Sequence, residues 1–146
     1  MSLIKSISGF RGTLGGKPGD NLTPVDVVKF AAAFGTWVIS RKGKKVVIGR
    51  DARISGEMVS TLVSSTLQAL GLDVVDLGLS TTPTVEIALP LEKAGGGIIL
   101  TASHNPGEWN ALKLLNEKGE FISAADGAAV LRLAEADNFS FAEVNK

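Results

Sequence analysis

The sequence predicts an α/β domain of three layers (α/β/α), with helices on both faces of a mainly parallel, mixed sheet that has one antiparallel edge strand. Two observations carry this prediction. Short apolar runs alternate along the chain with segments of helical periodicity, and 146 residues, of which 45% are hydrophobic and 21% charged, suit one folded domain. We therefore expect residues 1–146 to form a single domain.

The first predicted elements are a helix and a strand. The helix covers residues 24–39, because Thr23 is a suitable N-cap, Pro24 suits the first turn and apolar residues recur at helical spacing. The basic run at residues 41–45 breaks this pattern. The apolar run at residues 46–49 is typical of a strand that is buried on both faces.

The middle of the chain continues the alternation. Residues 56–70 follow Ser55, a suitable N-cap, and end at Gly71, which predicts a second helix. The same kind of signal predicts a strand over residues 73–77, a helix over residues 83–93 opened by Thr82, and a strand over residues 97–101. Strands that alternate with helices favour right-handed crossovers and a parallel sheet.

The last part of the chain predicts a hairpin and a helix. Residues 111–122 contain two apolar runs around the turn Asn-Glu-Lys-Gly, so we expect them to add the antiparallel strand at one edge of the sheet. Ser123 and Asp126 suit the start of a final helix that runs to about residue 136. The polar tail at residues 137–146 is typical of a linker or of a docking segment.

Composition argues against several classes of function. Fifteen basic and fifteen acidic residues give a net charge of zero, so neither nucleic acid nor a membrane surface is an expected partner. With no cysteine and one histidine, any metal is expected to bind through oxygen ligands. The N-terminus lacks a signal-peptide pattern and no apolar run is long enough to span a bilayer, so the predicted location is the cytoplasm.

Candidate site residues follow the ends of the predicted strands, where ligands bind in open parallel sheets. The first strand leads into Gly-Arg-Asp-Ala-Arg-Ile-Ser-Gly, the second into Gly-Leu-Ser-Thr-Thr-Pro and the third into residues 101–113. The third loop is the richest, because it contains the hydroxyl of Ser103, the imidazole of His104 and the amine of Lys113. A serine nucleophile needs a nearby base, and a phosphorylated serine needs cations as partners.

These residues also allow other interpretations. Ser-His-Asn-Pro at residues 103–106 is equally compatible with turn chemistry alone. The serine lacks the G-x-S-x-G pattern of an α/β-hydrolase, and the glycines match neither a P-loop nor a dinucleotide-binding fingerprint. Arg11, with glycines on both sides in Ser-Gly-Phe-Arg-Gly, is either a surface arginine or a guanidinium aimed at a phosphate.

The segment Thr-Ala-Ser-His-Asn-Pro resembles the phosphoserine loop of the α-D-phosphohexomutases, the family that includes phosphoglucomutase, phosphomannomutase and phosphoglucosamine mutase. The segments around Arg11, after the first strand and at residues 110–113 resemble the family's first domain in order and spacing. Ala111 stands where many members of the family have a glycine, which leaves the subfamily open.

The resemblance implies a mechanism and a set of site residues. Ser103 would carry a phosphoryl group in the resting enzyme, donate it to a hexose monophosphate, and receive the other phosphate of the bisphosphorylated sugar in return. The implied catalytic residues are Ser103, His104, Lys113 and Arg11, and the implied substrate- or phosphate-binding residues are Arg11, Thr101, Asn105, Asn110 and Lys113. Mg²⁺ would bind through the phosphate on Ser103 and an aspartate-rich loop of another domain, with hexose 1,6-bisphosphate as activator.

The implied partners are a hexose phosphate substrate and further domains of the same chain, without which we expect the isolated domain to be inactive. These residues do not determine whether the sugar is a glucose, mannose or glucosamine phosphate. An alternative of a different class is a non-catalytic module that grips a sugar phosphate with Arg11, Arg50, Arg53 and Lys113. In such a module, replacing Ser103 by alanine would leave ligand binding intact.

Overall fold

The computed structural model describes residues 1–102 and 105–143, which form a six-stranded sheet and four helices. The strands are β1 (Ile4–Ser6), β2 (Gly9–Thr13), β3 (Lys45–Arg50), β4 (Asp73–Leu79), β5 (Gly96–Leu100) and β6 (Trp109–Asn116). The helices are α1 (Pro24–Ser40), α2 (Gly56–Ala69), α3 (Thr82–Leu91) and α4 (Ala124–Glu135). The predicted alternation of helices and strands from α1 to β5 is confirmed.

The sheet is mixed, with the strand order β1-β2-β6-β5-β3-β4. β3 pairs in parallel with β4 and β5, whereas β6 is antiparallel to β5 and β2 is antiparallel to β6. The predicted fold class is confirmed, but the strand expected at the edge is not the one found there. β6 lies inside the sheet because the N-terminal hairpin of β1 and β2 pairs with its free side, so the antiparallel edge strand is β1.

The hairpin that was predicted over residues 111–122 is less regular than expected. Its first strand is part of β6, but in its second half Phe121 forms only an isolated bridge with Leu115. The backbone N–H groups of Lys118 and Glu120 donate instead to the side-chain carbonyl of Asn116, at 2.9 and 3.2 Å. An asparagine that satisfies its own turn in this way competes with regular strand pairing.

Helices cover both faces of the sheet, but unequally. On the first face, α1, α2 and α4 enclose the main core, where Phe10 of β2 stacks on Phe30 of α1 with 3.9 Å between ring centroids. On the second face, α3 packs on β3 and β5 over a smaller apolar cluster that includes Val85 and Leu89. The second face is therefore open beside β2, where Arg11 is exposed.

The helix starts follow the predicted capping residues with two differences. Thr23 and Asp26 form a capping box at α1, and Ser123 caps α4. α3 is capped by Thr81, one position before the residue expected to open it. Ser55 precedes α2 but gives it no side-chain cap, because its hydroxyl oxygen accepts a hydrogen bond from Asn110 instead.

The described part of the tail docks on the domain. The ring of Phe139 packs against the main core, and the backbone N–H of Ala142 donates to the carbonyl of Ala69 at 2.8 Å, at the end of α2. Of the two interpretations of the tail, docking therefore applies to residues 139–142. None of the helices in residues 1–102 and 105–143 has the length and apolarity needed to cross a membrane.

Candidate active site

The loops that follow β3 and β5 lie side by side, because these strands are parallel neighbours. Asp51 follows β3, and its backbone N–H donates to the carbonyl of Leu100 at 3.1 Å. Thr101 follows β5, and its hydroxyl donates to Oδ2 of Asp51 at 2.7 Å. We call residues 101–109 the serine loop, since the sequence places Ser103 within them. A single carboxylate thus joins the start of this loop to the neighbouring strand.

Arg53 contacts both Asp51 and the far end of the serine loop. Its backbone N–H and its Nε donate to the two carboxylate oxygens of Asp51, each at 3.1 Å. Its Nη1 donates to the carbonyl of Pro106 at 2.6 Å and to that of Trp109 at 3.2 Å. The Arg53 side chain is only 11% exposed, so solvent screens these charge-assisted bonds weakly.

Arg11 and Lys113 lie on the open face of the sheet, on the adjacent strands β2 and β6. In the antiparallel register, Arg11 is opposite Ala111 and Gly9 is opposite Lys113. The two basic residues are therefore diagonal neighbours on one face, a spacing that long side chains readily bridge. Gly9 permits this pairing, because a Cβ at that position would collide with the backbone carbonyl oxygen of Leu112.

The surroundings of Lys113 favour its neutral form. Partial burial lowers the pKa of the Lys113 amine from its usual 10.5, and the nearby guanidinium groups of Arg11 and Arg53 lower it further, while the carboxylate of Asp51 acts in the opposite direction. Lys113 and Arg11 line a cavity of about 290 Å³, together with Ser6, Ser8 and Phe121. The cavity combines two basic side chains with hydroxyl groups and aromatic residues, which suits a small anion that carries a polar body.

Of the other predicted site residues, Asn105 lies in the serine loop and Asn110 lies in β6. The backbone N–H of Asn105 donates to the carbonyl of Ala102 at 2.9 Å. Asn110 is fully buried; its Nδ2 donates to Ser55 at 2.9 Å and its Oδ1 accepts from the backbone of Ala111. This position is explained by a role in joining β6 to the start of α2. The predicted roles of Ser103 and His104 fall on residues outside those described.

The pairing of Asp51 with Arg53 is the feature of the site that sequence reasoning did not find. The sequence marks Asp51 only as a polar member of the loop after the first predicted strand, and Arg53 also as one of the cations of the alternative binding module. Their contacts with the serine loop depend on β3 and β5 being neighbours in the sheet, which a motif within one loop does not reveal. The alternative binding module also includes Arg50, but the side chain of Arg50 packs at the start of α2 beside Gly56.

Within residues 1–102 and 105–143, no cluster of three or more acidic or histidine side chains is arranged to hold a metal ion. The carboxylate of Asp51 already accepts bonds from Arg53 and Thr101. The described residues therefore supply no complete ligand set for a divalent cation, and the expectation of Mg²⁺ stays a prediction.

Taken with the fold, this geometry defines an α/β domain that gathers cations beside a loop at the carboxyl edge of its sheet, an arrangement suited to anionic substrates. Residues 3–140 match the family described as phosphoglucomutase/phosphomannomutase, alpha/beta/alpha domain I. The chain belongs to this family.

Individual relatives agree with the family match. The chain is 39% identical to a phosphoglucomutase/phosphomannomutase of Thermococcus kodakarensis over 140 residues, which are 92% of this chain and 30% of that protein. It is also 39% identical to a Pyrococcus abyssi protein described as a phosphoglucosamine mutase, over 87% of this chain and 28% of the relative. The chain thus spans somewhat less than a third of the length of these relatives.

Solved structures give the same result. A Thermus thermophilus protein described as a phosphomannomutase superposes with a TM-score of 0.82 and 31% identity, over 92% of this chain and 30% of its own. A phosphoglucomutase/phosphomannomutase family protein from Burkholderia thailandensis superposes with a TM-score of 0.79 and 26% identity, over 94% of this chain and 31% of its own. The α/β/α fold of the chain is that of these proteins.

Proposed function

We propose that this domain carries, on Ser103, the phosphoryl group that a phosphohexomutase transfers to and from its sugar. The observation that carries the proposal is the pair of cations, Arg11 and Lys113, beside the serine loop. Lys113 interacts electrostatically with Asp51, which in turn holds Thr101 at the start of that loop. Family membership supports the same reaction, because the relatives described above are named as mutases of hexose phosphates.

The proposed chemistry consists of two phosphoryl transfers. In the first, the bond between phosphorus and the Ser103 oxygen breaks, a bond from phosphorus to a hydroxyl oxygen of a hexose monophosphate forms, and the hydroxyl proton moves to a base. In the second, the phosphate at the other position of the bisphosphorylated sugar returns to the serine oxygen, and the sugar oxygen it leaves takes up the proton. Positioning and charge neutralisation dominate such transfers.

Lys113 and Arg11 suit different parts of this reaction. The guanidinium of Arg11 has a planar fork of donors that matches phosphate oxygens, so it suits contact with the transferred phosphate. Lys113 has a lowered pKa, which enlarges the neutral fraction of its amine and suits proton transfer. His104 is the competing base predicted from the sequence. Mg²⁺, held through the phosphate on Ser103 and by another domain, would supply further charge neutralisation.

Peptide mass mapping of the full-length protein tests the proposal. The protein is incubated with Mg²⁺ and a hexose 1,6-bisphosphate, digested, and compared with a Ser103→Ala variant. The expected result is a phosphate on Ser103 that moves onto added hexose monophosphate. If folded, Mg²⁺-loaded protein takes up no phosphate at Ser103 but still binds hexose phosphate, the non-catalytic binding module is the correct interpretation.

The outer face of α3 is the proposed contact surface for further domains. Ile87 and Leu91 lie one helical turn apart and are 63% and 76% exposed, and Glu86 is the only charged residue of this helix. A helix that is apolar on nearly every side is normally covered. Because the relatives are about three times as long as this chain, the rest of such a polypeptide is the proposed cover.

A further inference from the structure

We propose that Asp51 and Arg53 form a positioning pair that holds both ends of the serine loop and so fixes the nucleophile for phosphoryl transfer. The inference rests on the proposed function of Ser103. Asp51 and Arg53 bond to the serine loop through their side chains. The proposed role gives neither residue a bond to the reacting atoms.

The first end of the loop is held through Asp51. Its Oδ2 accepts from the hydroxyl of Thr101 at 2.7 Å, and its backbone N–H donates to the carbonyl of Leu100 at 3.1 Å. The main chain of Asp51 therefore contacts the last residue of β5, and its side chain contacts the first residue of the serine loop. Thr101 lies two positions before Ser103 in the sequence, so this contact acts on the backbone that leads to the serine.

The second end is held through Arg53. Its Nη1 donates to the carbonyl oxygens of Pro106 and Trp109, at 2.6 and 3.2 Å. The Pro106 carbonyl also accepts from the backbone N–H of Trp109 at 3.0 Å, so the guanidinium binds a closed turn and not a loose strand of backbone. From the opposite side, the backbone N–H of Leu14 donates to the Glu108 carbonyl at 2.9 Å. The end of the loop is thus fixed between two elements.

The two ends are coupled because Asp51 and Arg53 bind each other. Nε and the backbone N–H of Arg53 both reach the Asp51 carboxylate at 3.1 Å while Nη1 reaches the turn. A planar guanidinium has donors pointing in both of these directions at once, whereas a lysine amine is a single point of charge. Position 53 therefore needs the geometry of an arginine as well as its positive charge. The variant Arg53→Lys keeps the charge but loses the geometry, so it tests the geometry alone.

The experiment compares Arg53→Lys and Asp51→Asn with the unchanged full-length protein. The matched control is Arg132→Lys, at an exposed arginine on α4. For each protein we would measure kcat and KM for a hexose monophosphate, the melting temperature, and amide exchange at Asn105 and Trp109. The expected result is a fall in kcat of at least about tenfold with KM changed less than about twofold, since misplacement of a reacting group lowers the rate of chemistry and not ground-state binding.

Local exchange separates positioning from general stability. In both variants, exchange of the Asn105 and Trp109 amides should speed up at least about tenfold, the loss expected for one charge-assisted hydrogen bond. Amides of β3 should exchange as in the unchanged protein. If either variant is too unstable to purify, Thr101→Val replaces it; this variant removes the hydroxyl that donates to Asp51 and should show the same pattern with smaller changes.

The outcomes distinguish this inference from the proposed function. If Ser103 is labelled by the bisphosphate at the normal rate in both variants and kcat is unchanged, the positioning role is wrong while the phosphoserine stands. If Ser103 is never labelled even in the unchanged protein, the proposed function fails, and faster exchange at Asn105 and Trp109 would still show that the pair holds the loop. A rise in KM alone would place Arg53 in substrate binding and overturn the inference.

Discussion

Arg11 and Lys113 lie diagonally across from each other on neighbouring strands, on the face of the sheet that the helices leave open. Their spacing is set by backbone pairing, with Gly9 opposite Lys113 and Ala111 opposite Arg11. Two like charges held at this distance raise each other's electrostatic energy until an anion binds between them. The cationic site is therefore a property of strand register, and its rigidity is that of the sheet.

The role of Lys113 is tested by two substitutions that differ in charge. Lys113→Arg keeps a cation but cannot give up a proton, whereas Lys113→Met keeps a similar length without either property. If Lys113 is the base, both variants should lose about a hundredfold or more in kcat, the usual contribution of general-base catalysis. The measurement is the steady-state rate in full-length protein across pH. Substantial activity in Lys113→Arg would show that the residue acts through its charge.

Stability should depend on pH through the same amine. Because burial, Arg11 and Arg53 lower the pKa of Lys113 in the folded state, the unfolded chain binds more protons between that pKa and 10.5, so folding is favoured as pH rises through this range. Below both pKa values the cost of holding the charged amine is fully present. Lys113→Met should therefore raise the free energy of unfolding at pH 7, by less than about 1 kcal/mol because solvent screens the site.

Chemical unfolding at pH 7 and at pH 10 measures this effect. The expected pattern is that Lys113→Met shows a smaller gain in stability between the two pH values than the unchanged chain. Lys118→Met, at an exposed lysine in the turn after β6, is the control and should behave like the unchanged chain. A variant that is less stable than the unchanged chain at both pH values would contradict the predicted sign.

Gly9→Ala should destabilise the domain by about 1–3 kcal/mol, the usual range for overpacking against neighbours that cannot move away. The added methyl group would meet the backbone carbonyl of Leu112, so β2 and β6 would have to separate locally. Urea unfolding of the 146-residue chain measures the loss. Gly107→Ala is the matched control, since a Cβ there has open space around it and should change the free energy of unfolding by no more than about 0.5 kcal/mol.

Arg41 should contribute about 1 kcal/mol of stability by combining a ring contact with two ion pairs. Its guanidinium carbon lies 4.7 Å from the centre of the Trp37 ring, and its nitrogens lie 3.1 Å from Glu117 and 3.8 Å from Asp126. Arg41→Ala should lose the full amount. Glu117→Gln should lose less, and high salt should remove most of that smaller loss, because only the ion-pair part is screened. An equal loss in both variants would show that the ring contact adds nothing.

Substitutions on the outer face of α3 should have effects that depend on the length of the polypeptide. Ile87→Gln combined with Leu91→Gln changes two exposed side chains, so the free energy of unfolding of the 146-residue chain should shift by less than about 0.5 kcal/mol. In the full-length protein the same change should lower the melting temperature and the activity. Equal melting temperatures in full-length protein with and without the change would show that this face is not a domain contact.

The sequence predicted well those elements whose signals are local. The helices from α1 to α4 have capping residues such as Thr23 and Ser123 and repeat apolar residues over several turns. The hairpin of β1 and β2 was missed, because its strands are short, rich in glycine and partly exposed. These strands are stabilised by β6, which lies far away in the sequence. That missed pairing also explains why the antiparallel strand was expected at the wrong place in the sheet.

The side chains of the site also depend on pairings between distant segments, which the sequence does not reveal. Arg11 and Lys113 were predicted site residues from their own segments, and the family resemblance implied their roles, but only the register of β2 and β6 shows that they are neighbours. Asn110 was predicted to bind substrate or phosphate, which stays a prediction; its full burial and its bond to Ser55 were not predicted. Sequence does not distinguish an amide that binds a ligand from one that satisfies a buried hydroxyl, since both require the same residue type.

The pairing of β2 with β6 also sets the order in which this protein can be assembled. It joins segments about a hundred residues apart, so the loop that must close is long and its ends meet rarely in an unfolded chain. During synthesis, the parallel strands and their helices emerge before β6 has left the ribosome. The N-terminal hairpin has no pairing partner in the sheet until β6 is available, so the two basic side chains come together only then, and a shorter nascent chain lacks this pair.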